Sequence, residues 1–156
     1  MTAPRHEFGL CLFCRVGARV CAIPLQHVQE TMRPLPVEPL SGAPSFVLGL
    51  SVIRGAGVPV VHASLLLDRS EAPPPMRFVM LAVGERRVAL AVDSVIGIHP
   101  LGATGAEEPP PLLGEANLEV ISAIGRLDRE LLFVLNAARV VPEFMWRDLD
   151  AGGSQP

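Results

Sequence analysis

No apolar run in this chain extends beyond about eight residues before a proline, a glycine or a charged turn interrupts it. Isolated helices need more length than that to be stable, whereas strands do not. The runs at 10–16, 19–23, 46–53, 58–61, 77–83, 87–92, 95–98, 120–124 and 131–135 are rich in Val, Leu and Ile. Regularly spaced short strands with turn signals predict an all-β barrel or sandwich. Helix is expected only at 25–32, between Pro24 and Pro34, for one turn at 63–67, and at 137–146 with an irregularity at Pro142. Two loops, one around Pro73–Pro75 and one over 102–114, carry three consecutive prolines each and read as stiff connectors.

Two sequence echoes indicate an internal repeat. The stretch GARVCAIPLQHVQE from Gly17 parallels GERRVALAVDSVIG from Gly84, and VPVVHASLL from Val58 parallels LFVLNAARV from Leu132. The offsets are similar, and His62 falls in register with Asn136. This predicts two related half-domains, each too small to bury its faces alone, packed against each other.

Bulk properties narrow the function. The 156 residues fit one domain. Net charge is −3, and the only adjacent basic pair is Arg86 and Arg87, so a nucleic-acid-binding patch is not expected. No run has the length of a membrane span, and no leader pattern opens the chain; direct membrane insertion is not expected, and a cytoplasmic location is.

Catalytic constellations are not evident. His6, His27, His62 and His99 stand far apart, and none has a second ligand at metal-binding spacing. The run after Gly49 departs from a nucleophile elbow at Ile53, and that after Gly55 departs from a dinucleotide-binding loop at Val60. Cys11 and Cys14 match C-x-x-C formally, with Cys21 nearby. In a strand, residues three apart point to opposite faces, so a shared metal or disulfide is disfavoured. No catalytic residue, metal or cofactor is expected. A small enzyme with its site between the barrels, or a thiol- or metal-sensing domain, remains as an alternative.

The stretch 46–61 is an apolar strand with a Gly, an Arg54-Gly55 turn, and an apolar-Pro-apolar strand. It resembles the signature of CheW-like domains. Residues 22–30, with their V-Q-E corner, 88–95, 121–127 and 131–141 resemble further elements of that family in the same order. The resemblance covers about 10–144, leaving an N-terminal arm over 1–9 and a C-terminal tail over 145–156. It implies two SH3-like five-stranded β-barrel subdomains with few short helices. It also implies a non-enzymatic adaptor that couples the cytoplasmic tip of a chemoreceptor to the regulatory domain of a CheA-type histidine kinase. The partner-binding positions carried over are Val28, Glu30, Gly49 and Arg54, with the first three bordering one exposed apolar groove. The chain departs from the family pattern at Val52, where Asn is usual, and at His62, where Asp is usual. These departures leave a second possibility, a connector that binds receptor but binds the kinase weakly or not at all.

Overall fold

The computed structural model describes residues 9–68, 74–101, 106–107, 121–127 and 130–152. Residues 1–8 of the expected arm, most of the 102–114 loop and residues 153–156 of the expected tail lie outside them.

Among the described residues, eleven strands form two sheets. They are β1 (Gly9–Val16), β2 (Arg19–Pro24), β3 (Val28–Met32), β4 (Val47–Ile53), β5 (Ala56–His62), β6 (Arg77–Val83), β7 (Arg86–Val92), β8 (Ser94–Leu101), β9 (Ala106–Glu107), β10 (Ile121–Leu127) and β11 (Glu130–Leu135). The first sheet runs β8-β1-β2-β11-β10-β9, and the second runs β3-β6-β7-β5-β4. The fold is thus the expected pair of small β subdomains.

Apart from β9, which has no counterpart, the strands of the two sheets correspond in order. Each contains two antiparallel hairpins joined by one parallel pair: β2 with β11 in the first, β7 with β5 in the second. Val60 pairs with Ala89, and Val134 pairs with Ala22. Those are the same repeat positions, so the echo in the sequence is a repeat in the fold. Neither half forms a sheet by itself, however. The first half gives β1 and β2 to one sheet and β3, β4 and β5 to the other; the second half does the reverse.

Because the inner strands β1, β2, β6, β7 and β11 lie between two cores, both of their faces are apolar over most of their length. Cys11 and Phe13 enter a cluster inside the first sheet with Val20, Ala22, Leu132 and Val134. Leu12, Cys14 and Val16 point the other way, into the core shared by the two subdomains. Ile53, Val58, Val60, Phe78 and Met80 fill the second sheet. This explains the unbroken apolar runs: a strand buried on both faces loses the alternation of a half-exposed one.

The helices depart from expectation in two places. The helix expected over 25–32 is instead a 3-10 turn, Leu25–His27, followed by β3. Val28, Glu30 and Met32 are partly buried while Gln29 and Thr31 are exposed, a period of two. Pairing with β6 supplies the ladder hydrogen bonds that a short helix would have made internally. The segment 137–146 breaks at Pro142 into a 3-10 turn, Ala137–Arg139, and a helix α2, Glu143–Gly152. Helix α2 buries Met145 and Trp146 in the shared core, so the packed structure continues past residue 144. The turn expected at 63–67 is the helix α1, Ala63–Asp68. Asn136 caps the 3-10 turn after β11, its Oδ1 accepting from the Ala138 N–H at 3.1 Å.

Candidate functional site

The β4–β5 hairpin turns through two residues, Arg54 and Gly55, between the paired Ile53 and Ala56. Their φ angles are 53° and 80°. A turn with both central residues left-handed matches the twist of the strands and favours Asn-Gly. Arg54 is the only non-glycine with positive φ among the described residues. An L-residue with an unbranched, bulky side chain gains nothing locally from that conformation.

What the conformation does is aim the guanidinium. Arg54 Nε donates to Glu30 Oε2 and Nη2 donates to Glu30 Oε1, both at 2.8 Å. This is the fork-to-fork geometry that arginine makes and lysine does not. The hydrogen bonds from Arg54 hold the Glu30 carboxyl below its ordinary range, with the nearby Arg87 adding to the effect. Two-thirds of the Arg54 side chain stays in solvent, as does about one-third of Glu30. The hydrogen-bond ladder leaves β3 and β4 at opposite edges of the second sheet. The ion pair joins the β4–β5 turn to β3 across that gap. A two-hydrogen-bond bridge between Glu38 and Leu50 covers β4 on its open side.

Gly49 lies under that bridge. Its φ is +146°, and a Cβ there would stand 1.9 Å from the Glu38 carbonyl oxygen and 2.9 Å from Pro39 Cα. The glycine is buried. Its lack of a side chain permits a close backbone approach, and whatever part it has in a groove with Val28 and Glu30 is that of backbone and not of a side chain. Val28 is half-buried against the shared core.

Val52 is 73% exposed, on the strand that ends at Arg54, while His62 is 3% exposed. His62 stands directly before α1, and its backbone N–H donates to the Phe46 carbonyl at 2.7 Å. His62 is thus out of reach of direct contact, whereas the Val52 side chain is open to solvent.

The sequence reading missed a surface on the first sheet. Leu10, Ile96 and Ile98 are large apolar side chains left between 42 and 52% exposed. In the β1–β8 pairing, Leu10 faces Pro100 and Leu12 faces Ile98. Leu12 belongs to the shared core, so an apolar strip runs from that core out to an exposed sheet edge. The local signal was alternation in 94–101, which reads as an ordinary half-buried strand until its outer face is found without a cover. Asp93 does more than turn the chain between β7 and β8. Its Oδ2 accepts from the Gly17 N–H at 2.7 Å, tying the β7–β8 corner to the β1–β2 turn across 76 residues.

The cysteines fall as the strand geometry required, with Cys11 and Cys14 in different clusters. Cys14 and Cys21 are cross-strand partners, a relation the C-x-x-C spacing did not suggest. All three are buried thiols outside any disulfide. Burial pushes Cys11 up to about 11 and Cys14 up to about 12, and Cys21 higher still. Such thiols are poor nucleophiles and poor metal ligands. Among the described residues no three His, Cys, Asp or Glu gather at metal-binding distance. No described helix is long and apolar enough to cross a membrane.

Comparison with known proteins agrees with this architecture. Residues 10–144 match the family model of the CheW-like domain. Protein FrzA of Myxococcus xanthus is 30% identical over 145 residues, covering 88% of this chain and 86% of the relative. The chemotaxis protein CheW of Rhizobium meliloti (strain 1021) is 26% identical over 130 residues, covering 82% and 84%. The crystal structure of the scaffolding protein TtCheW from Thermoanaerobacter tengcongensis superposes with a TM-score of 0.69 at 16% identity, covering 82% of this chain and 88% of that one. The chain belongs to the CheW-like domain family of chemotaxis adaptor and scaffold proteins.

Proposed function

We propose that this protein is a non-enzymatic adaptor that couples the cytoplasmic tip of a chemoreceptor to the regulatory domain of a CheA-type histidine kinase. One observation carries the reading: Arg54 occupies a left-handed turn position and is held there by two hydrogen bonds to Glu30. Strain at an exposed charged residue points to use of that residue. The guanidinium keeps donors that Glu30 does not take, and a partner carboxylate fits them. The apolar strip of Leu10, Ile96 and Ile98 offers the desolvating contact that an ion pair alone lacks. With Val28 beside the same shared core, it suits the apolar face of a receptor helix.

The experiment is titration of a receptor signalling-tip fragment and of a kinase regulatory domain, each separately, against the native protein and against Arg54→Asn and Ile98→Asp. We expect the native protein to bind the receptor fragment, Ile98→Asp to weaken that binding about tenfold or more, and Arg54→Asn to weaken at least one partner by a similar factor. Binding of neither fragment by the native protein would overturn the assignment.

A second reading, a connector that binds receptor but binds the kinase weakly, is favoured by Val52. A large exposed apolar residue stands two positions before Arg54, where the family pattern has Asn. A surface chosen by a kinase for its polar donors would not receive it well.

A further inference from the structure

Glu30 and Arg54 meet at one end of the second subdomain, and a third charged side chain shares that end. The pairing ladder runs from Glu30 to Met80 and from Met80 to Ala89. Paired residues lie on one face of a sheet, and so do residues two apart along a strand. Met80 and Ala89 belong to the cluster inside the second sheet. Glu30 and Arg87, which stands two residues before Ala89, therefore project from that inner face. Arg86 projects from the other face, toward Glu143 and Trp146 of α2. Strands β5 and β7 run parallel, so the Arg54-Gly55 turn before β5 and the Gly84-Glu85 turn before β7 lie at the same end.

Two guanidiniums thus stand over one carboxylate at the mouth of the second subdomain. Arg54 takes both Glu30 oxygens. Arg87 acts on the same carboxylate through space, yet among the described residues it makes no hydrogen bond or ion pair. Its side chain is exposed. The other charges nearby do not offset it. Glu85, exposed in the β6–β7 turn, acts on neither Glu30 nor Arg54. Glu143 is engaged by Arg86 on the opposite face of the sheet.

We propose that Arg87 is a second partner-binding residue, and that it and Arg54 grip one carboxylate side chain of the partner protein between them. The inference rests on the adaptor reading above and adds to it a residue and the chemistry it recognises. Glu30 has a defined part: it fixes the Arg54 fork and offsets the repulsion between two cations held close together. It can satisfy only one fork at both oxygens, so the Arg87 donors stay open. A planar guanidinium fork matches a carboxylate, and two of them leave no place for a cation. A plug serving the fold alone would pair its charges and would not hold a second arginine in water beside a carboxylate already taken.

The test uses Arg87→Gln in the full chain, with Arg33→Gln as a control that removes an equally exposed guanidinium from beyond the far end of β3. Both variants should melt like the native protein. The geometry is read without any partner: NMR titration of the Glu30 carboxyl should show its pKa rising in Arg87→Gln and unmoved in Arg33→Gln. Binding is read by calorimetry with the receptor signalling-tip fragment and the kinase regulatory domain separately. Arg87→Gln is expected to weaken at least one of them about tenfold, and Arg33→Gln neither. If both arginines hold one carboxylate, the loss in the Arg54→Asn, Arg87→Gln double variant is smaller than the product of the two single losses. Native-like binding by Arg87→Gln overturns the proposal while leaving the adaptor reading intact, and no binding by the native protein overturns both. Equal weakening by Arg33→Gln would show that only net charge matters, and losses that simply multiply would place the two arginines on separate contacts; either overturns the shared grip. Saturable NMR shifts of the Arg87 side chain with inorganic phosphate alone would assign the pair to a free anion and likewise overturn it.

Discussion

Arg54 and Glu30 lie 24 residues apart in the chain and meet through two hydrogen bonds of 2.8 Å. One belongs to a two-residue turn at the end of the second sheet's outer hairpin, and the other to the strand at the sheet's opposite edge. Arg54 keeps a backbone conformation better suited to asparagine in order to make this contact.

That relationship separates stability from binding. Asparagine fits the turn, so Arg54→Asn should melt no lower than the native protein while losing partner affinity. Glu30→Gln should also lose affinity, because Arg54 is then free to leave its pose. Since the Glu30 carboxyl is held below its ordinary value of 4.5, the ion pair contributes above that pH. It is lost as pH falls through the lowered value. Thermal melts and titrations of the two variants check this; a large drop in melting temperature for Arg54→Asn would show that the turn depends on arginine structurally.

Gly49 and Gly57 form a matched pair of probes. Gly49→Ala would place a methyl against the Glu38 backbone at a positive φ and should cost at least about 2 kcal/mol in urea denaturation. Gly57 lies on the neighbouring strand with no positive φ, and its nearest neighbour to a new Cβ is Leu50 Cδ1 at 4.0 Å. Gly57→Ala should stay within about 0.5 kcal/mol of the native protein. Equal losses at both positions would show that the Glu38 bridge yields easily.

The thiols predict an alkaline weakness. Unfolded thiols ionise near 9, while the buried ones are raised to about 11 for Cys11 and about 12 for Cys14, and higher for Cys21. The folded state then binds more protons than the unfolded state above pH 9, so stability falls as pH rises. Three such groups remove roughly 3 kcal/mol between pH 9 and pH 10. The test is clean because the chain contains no Tyr and its basic residues are all Arg. Urea melts at the two pH values read the slope directly, and a flat profile would show that the thiols ionise in place.

Val52 and His62 should behave differently. Val52→Asn changes an exposed side chain and should alter kinase affinity without altering the melt. His62→Asp puts a carboxylate at a position 3% exposed, where it must cap α1 or destabilise the fold. Calorimetric titration of the kinase regulatory domain with each variant, beside its melting curve, tells contact from support. If Val52→Asn leaves kinase affinity unchanged, the position is not part of that surface.

The β character of the chain was legible because it rests on local rules. Proline and glycine spacing sets the length of each run, and the residue types in 77–83 or 87–92 favour a strand with both faces covered. The internal repeat was legible too, since corresponding strands carry corresponding letters, and so was the Arg54-Gly55 turn. The helix expected over 25–32 failed where local pattern was weakest: five residues, Val28–Met32, fit either period until β6 supplied a partner.

The sequence by itself determined which segments become strands, where they turn, and that two similar halves are present, because those depend on neighbours along the chain. Tertiary structure alone decided that the halves exchange strands, so that each subdomain is completed by the other. It set Glu30 against Arg54, put Gly49 beneath Glu38, faced Cys14 with Cys21, and left Leu10 and Ile98 uncovered at an edge. Each of these is a pairing between segments distant in sequence. Its energy comes from burial and hydrogen bonds that exist only once both partners are in place, so no local pattern encodes it.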